Sequence, residues 1–356
     1  MKITFITYLV LSFTCSQLYS EQYLYLSNKQ NLSIDQFTID PDNGELTLVQ
    51  QIQLNASPGT LSLSTDKSLL YTSLSTKKET QLATFSIGKN GHLKLQGKHL
   101  KKVSGGGVAS NDNRFYIQYN YKQNVVSVLE LKNSIHTGKL IQKITTTDHP
   151  HDISFSNNEN LIFVPHNWEN RLYQFSFNSE TGMLTPLQPP YINGPDIEQT
   201  GYANFRSLAL HPILNVFYCT YEKGGGLASL KYNSEGIKVW QNYSSIKKDE
   251  VVAASTVTLS PDNKFLFMSN RVKGAPGSIA VFKLSPTTGK ILERIGVYEN
   301  PAISSREIEV DTQGRFLYSS SKQLNSTLLF HIQKDGSLEF HKEFKIGGAP
   351  MLILNR

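Results

Sequence analysis

The stretch "TVTLSPDNKFLFMSN", residues 256–270, reads as a strand, a tight turn and a second strand. β-Branched and aromatic residues form both arms, and Pro261, Asp262 and Asn263 preset or tolerate the backbone angles of the turn. Its second arm has six echoes along the chain: "YLYLSN", "LLYTSL", "RFYIQY", "LIFVPH", "VFYCTY" and "FLYSSS". The central ring falls at Tyr25, Tyr71, Tyr116, Phe163, Tyr218, Phe267 and Tyr318, at spacings of 46, 45, 47, 55, 49 and 51 residues. Helical periodicity is hard to find. Seven copies of a strand-rich unit at that period predict an all-β chain, a seven-bladed β-propeller of four-stranded antiparallel blades.

The rest of each unit agrees. An alternating strand such as "SIAVFKLS" or "RLYQFSFN" follows the ring, then a turn such as "PTTGK" or "SETGM", then a last strand. The first unit lacks its leading strand, whereas the C-terminal "GGAPMLILNR" is a leading strand with nothing after it. Pairing those two ends closes the ring and removes an open sheet edge. The longer spacing between blades 4 and 5 holds "PPYINGPDIEQTGYANF", expected to be a loop over one mouth of the channel.

Residues 1–20 stand apart from this pattern. One Lys, an apolar run from Ile3 to Cys15 and Ser20 make the order of a secretory signal peptide, too short to anchor permanently in a bilayer. A buried first strand is the alternative. The propeller domain is then residues 21–356, exported to the periplasm or secreted. Without the leader the net charge is +5 from 34 basic and 29 acidic residues, with Cys219 the single cysteine, so no internal disulfide can form. Basic residues occur in pairs rather than runs, which argues against nucleic acid as a partner and suits a small anionic substrate. No second apolar stretch reaches membrane-spanning length, and a monomer is expected.

In a propeller the leading strands line the central channel, so equivalent positions of different blades converge. Counting back from the turn of each leading strand selects Gly59, His151, Arg206, Ser255 and Arg306. The residues just past the second strand are Asn120, His166, Glu222 and Arg271. Histidines, arginines and a glutamate thus meet at one mouth, subject to strand register: a slip of one residue turns a side chain to the other face. The "HPHDISF" stretch, from His149, is the expected leading strand of blade 4.

At this point the chain resembles a known family. "HPHDISFSNNENLIFVPHNWENRLYQF", "FRSLALHP", "SPDNKFLFMSNR", "SIAVFKLSPTTGK", "DTQGRFLY" and "IGGAPMLILN", in that order, resemble the seven-bladed lactonases. That family includes the bacterial propeller-type 6-phosphogluconolactonases and the fungal carboxymuconate lactonizing enzymes. The resemblance implies a lactone-opening hydrolase without cofactor or metal. Its catalytic positions are matched by His151, Arg206, Glu222 and Arg271, and Arg306 matches a further arginine. Three positions depart from the pattern: Ser207 stands for a histidine, Thr256 for an acid, and Asn170 for the aspartate of an Asp-Arg pair.

The chemistry is consistent with these residue types. A histidine of near-neutral pKa is a natural general base for attacking water, which points to His151. Arginines fixed around the carbonyl can meet charge as it develops, a role for Arg206 and Arg271. Arg306 can clamp a carboxylate or phosphate, and Asn120 and His166 are placed as further substrate-binding residues. Glu222 can orient His151 or an arginine. Two other readings share the site: a secreted propeller that binds a ligand or partner without turnover, and a cycloisomerase running lactone chemistry in reverse. A zinc site from His149, His151 and His166 is the rival use of the histidines. Cys219 reads as a packed core thiol, and the "GGG" runs at 105–107 and 224–226 lack the lysine of a phosphate loop.

Overall fold

The computed structural model describes residues 21–101, 105–195, 204–244, 252–347 and 351–355. The expected leader, and residues 196–203 of the insert between blades 4 and 5, lie outside them.

Seven four-stranded antiparallel sheets follow one another along the chain, and no helix occurs among the described residues. The inner strands of blades 2 to 7 are Ser57–Leu63, Gly107–Ala109, Ser154–Phe155, Phe205–Leu210, Ala253–Leu259 and Ile308–Val310. Blade 1 takes its inner strand, Met351–Asn355, from the far end of the chain. That strand pairs with Gln22–Asn28 in the register Gln22↔Asn355 to Leu26↔Met351. The ring therefore closes as the two incomplete ends of the sequence predict.

The recurring rings hold the blades to one another. All seven lie at 0–1 % exposure. Three of the tyrosines donate across a blade boundary to the carbonyl of a turn glycine: Tyr25 to Gly91 (2.6 Å), Tyr218 to Gly289 (2.5 Å) and Tyr318 to Gly44 (2.7 Å). Each acceptor glycine has positive φ, which the tight outer turn of the next blade requires. Between most neighbouring blades eight to eleven buried apolar residues form a core cluster. Between blades 2 and 3 the cluster has six: Tyr71, Leu82, Ala109, Tyr116, Leu129 and Leu131.

The inner strands share a local irregularity where the site is built. In blade 5 Phe205 pairs with Tyr221 and Leu208 with Cys219, so Arg206 and Ser207 together face Thr220. Gly59 and Thr60 face Ser73 in the same two-against-one way, and Ser255 and Thr256 face Ser269. Such bulges re-aim side chains at the end of a strand. A short hydroxyl opposite the bulge takes the freed amide: Thr220 Oγ1 accepts from Ser207 N (3.1 Å), and Ser269 Oγ from Thr256 N (3.3 Å). Ser320 Oγ accepts from both Arg306 N (3.2 Å) and Glu307 N (3.0 Å).

Blade 4 departs from its expected leading strand, which shrinks to Ser154–Phe155 plus an isolated Pro150–His166 bridge. Pro150 has no N–H to give a ladder, and the Asp152 carboxylate takes the Ile153 N–H at 2.8 Å.

Candidate active site

Glu222 is the centre of the charged cluster. It follows the second strand of blade 5, Val216–Tyr221, and its side chain is 25 % exposed. Arg271 Nη2 of blade 6 donates to its Oε1 at 2.6 Å, and Arg206 Nε lies 3.3 Å from its Oε2. Asn167 Nδ2 of blade 4 also donates to Oε2. Burial opposes the charge on this carboxylate, but Arg206 and Arg271 outweigh it and hold its pKa below the usual value. Arg206 is itself buried, donates through Nη1 to Ser255 Oγ at 2.9 Å, and has its pKa drawn down to about 10 by burial and by Arg271.

His151 stands across the channel mouth. Its backbone N–H is anchored on Pro165 O at 2.9 Å, and its ring meets Tyr121 edge-on at 5.7 Å. Burial, followed by the fields of Arg206, Arg271 and Arg306, pushes its pKa well below the ordinary 6.5. The imidazole is therefore neutral at physiological pH, but a weaker base than the near-neutral histidine expected from the sequence.

Two joined cavities of about 530 and 310 Å³ occupy this mouth. Both are lined by His151, Arg306, Lys29, Thr60 and Tyr119. The larger also touches Glu222, Asn167 and Tyr121; the smaller touches Arg206, Asp152 and Glu307. The opening lies off-centre for a simple reason. At equivalent positions blades 2 and 3 carry Gly59 and Gly105, which leave room, whereas blades 4, 5 and 7 deliver His151, Arg206 and Arg306. Arg271 lines a third hollow of about 470 Å³ that shares Glu222 and Asn167 with the larger cavity.

Arg306 differs from the other two arginines. Among the described residues no carboxylate lies within ion-pair distance of it. Beside it, Lys29 has its pKa lowered by burial and by the charges of Lys322 and Arg306. Three cations crowded at one wall make a place where an anion is favoured.

Two residues selected from the sequence sit elsewhere. His166 is fully buried, with Nδ1 3.0 Å from Val164 O and its ring 4.5 Å from Tyr173, and burial pushes its pKa down to about 3. Asn167, the next residue, occupies the position equivalent to Glu222. Asn120 faces a separate cleft between blades 2 and 3, in line with Gln118, and Tyr121 enters the mouth in its place. Both differences are slips of one residue, which on a strand exchange faces.

Other site residues carried no sequence signal beyond position. Asp152 accepts from Leu208 N (2.9 Å) and Ser207 Oγ (3.3 Å) of blade 5, and burial raises its pKa. Ser207, where the family pattern has a histidine, thus ties two blades together. Glu307, half-buried and lining the smaller cavity with Arg206, is hydrogen-bonded to Thr256 and has its pKa raised to about 8 by desolvation and by Asp152. Asn170 lies apart from the cavities, its Nδ2 donating to Pro195 O at 3.2 Å. Among the described residues, no group of three His, Cys, Asp or Glu side chains is placed to hold a metal ion. Nor is any helix there long and apolar enough to cross a membrane.

The fold and this mouth define a class: a propeller whose polar site is assembled at one end of the channel by residues distant in sequence. The sequence model described as "Lactonase, 7-bladed beta-propeller" matches residues 19–354, and the chain belongs to that family. It is 22 % identical over 343 residues to a 6-phosphogluconolactonase of Yersinia pseudotuberculosis, covering 94 % of this chain and 97 % of that one. A 6-phosphogluconolactonase of Photorhabdus laumondii is 23 % identical over 345 residues, with 94 % and 98 % covered. Among solved structures, the periplasmic gluconolactonase of Pseudomonas aeruginosa superposes with a TM-score of 0.83 at 15 % identity, covering 94 % of this chain and 99 % of that one.

Proposed function

We propose that the protein is a lactonase that opens a sugar-derived, anionic lactone by attack of water at the channel mouth. The observation that carries this is His151, kept unprotonated where two cavities meet, one lined by Glu222, the other by Arg206, and both by Arg306. His151 takes a proton from water as its oxygen attacks the lactone carbonyl carbon, and the carbon–oxygen bond of the ring then breaks. The ring oxygen leaves as an alkoxide and receives a proton, either returned by His151 or given by Glu307, which with its raised pKa is largely protonated at pH 7. Arg206 and Arg271, fixed by Glu222, supply a positive field that needs no rearrangement as the carbonyl oxygen becomes an oxyanion. Arg306, Lys29 and Lys322 hold the carboxylate or phosphate of the substrate. Binding that anion offsets the cations that depress His151, which makes the imidazole a stronger base once substrate is in place.

Export to the periplasm or beyond belongs to the same proposal, supported by the leader-like residues 1–20. A compartment outside the cytosol favours an unphosphorylated lactone, whereas the cation cluster favours a phosphorylated one. Ring opening of glucono-δ-lactone and of its 6-phosphate, each corrected for spontaneous hydrolysis, decides between them. We expect catalysed opening of at least one, with Arg306→Ala raising KM more for the phosphorylated compound. Binding of both lactones without acceleration of either would instead identify a non-catalytic propeller.

A further inference from the structure

A cavity larger than either of those at the channel mouth lies elsewhere. It is a cleft of about 970 Å³ between blades 2 and 3, at the one blade boundary where the apolar cluster is smallest. We propose that this cleft is a second binding site, for an acidic saccharide, separate from the lactone site.

Its rim is cationic. Among the described residues Lys77, Lys78, Lys98, Lys122 and Lys143 line it against a single acid, Glu79. All five lysines are exposed, so their charges are available to a ligand. Charge alone would make only a solvated face, but the floor is built differently. Gln118 and Ser127 are 1 % exposed, and Asn120 and His136 are 2 % exposed. Gln118 Nε2 donates to Ser127 Oγ at 3.1 Å, yet Gln118 Oε1 is buried with no donor. Leaving a buried acceptor unpaired is costly, so a donor supplied by a ligand would be rewarded.

The two layers select the ligand chemistry. The rim asks for carboxylate, sulfate or phosphate groups, and the orphaned acceptor asks for an O–H or N–H. A bare inorganic anion offers only acceptors, and a neutral sugar only hydroxyls. Among the described residues no Phe, Tyr or Trp lines the cleft, so they offer no stacking platform for a single-stranded nucleic acid. A saccharide bearing acidic groups meets both demands, and the volume is large enough for several sugar rings. Lys122 lines both this cleft and the channel mouth, so the two sites adjoin.

The test is titration calorimetry on the full chain at low salt with trigalacturonate, maltotriose and inorganic tripolyphosphate. Trigalacturonate should bind, with the neutral trisaccharide and the inorganic anion at least about tenfold weaker. Lys98→Ala/Lys143→Ala should weaken trigalacturonate about tenfold while leaving the thermal midpoint and lactone kinetics unchanged. Gln118→Leu should weaken it too, without altering the salt dependence. The proposal is overturned if trigalacturonate fails to bind, or binds the double-lysine variant as tightly as wild type. Equal affinity for tripolyphosphate or maltotriose would overturn it as well, by showing that one of the two demands is idle.

Discussion

Arg306 and His151 face the same cavity, and the guanidinium is one of three that depress the imidazole. The sign of its effect is definite: a nearby cation destabilises the imidazolium and lowers the pKa, so removing the cation raises it. Arg306→Ala should therefore move the acid limb of the kcat/KM profile to higher pH, in addition to weakening substrate binding. An unmoved limb, or one displaced to lower pH, would show that His151 is not the group titrating. At this scale the sequence was informative about residue types and their blade, and less so about side-chain direction. His151, Arg206, Glu222 and Arg271 could be grouped because the repeat aligns their positions. His166 and Asn120 were each one residue from the position that enters the mouth, because strand alternation is unforgiving and bulges leave no mark in composition. Burial was invisible as well. Nothing in "HDIS" announces that Asp152 is enclosed, or that Glu307 lies close enough to it for one to raise the other's pKa.

The inner strand and its neighbour form the element that delivers these side chains, and the ring at the centre of the second strand fixes that element to the next blade. Tyr318 of blade 7 donates to Gly44 O of blade 1 and is fully buried. Tyr318→Phe keeps the packing but leaves a buried carbonyl without its donor, at a cost of about 1–2 kcal/mol. Chemical denaturation should show that loss with little change in lactone turnover, since the hydroxyl lies at the blade boundary and away from the mouth. A neutral substitution would mean that water replaces the phenol. The seven rings were legible as a repeat because the same packing problem is solved at each boundary. The short inner strand of blade 4 was not, because the sequence from His149 to Phe155 alternates like an ordinary strand while Pro150 and the Asp152 carboxylate interrupt the ladder.

Across the whole molecule, closure by residues 351–355 is what makes the mouth a single site. All seven blades contribute groups there, from Lys29 of the first and Tyr121 of the third to Arg306 of the seventh, and the two glycines of blades 2 and 3 provide the space. The period of the rings and the unpaired ends carried that architecture in the sequence. The unequal blade boundaries were not legible, since the polar floor at Gln118 and Ser127 reads as ordinary strand alternation. The central claim is that this mouth opens lactones with His151 as the base. Its most direct test takes whichever of glucono-δ-lactone and its 6-phosphate wild type opens faster, and compares initial rates at pH 7, above the spontaneous rate, for wild type and His151→Ala of equal thermal midpoint. The account predicts that kcat falls by about 10²-fold or more in the variant. A His151→Ala protein that opens the lactone at the wild-type rate would contradict it.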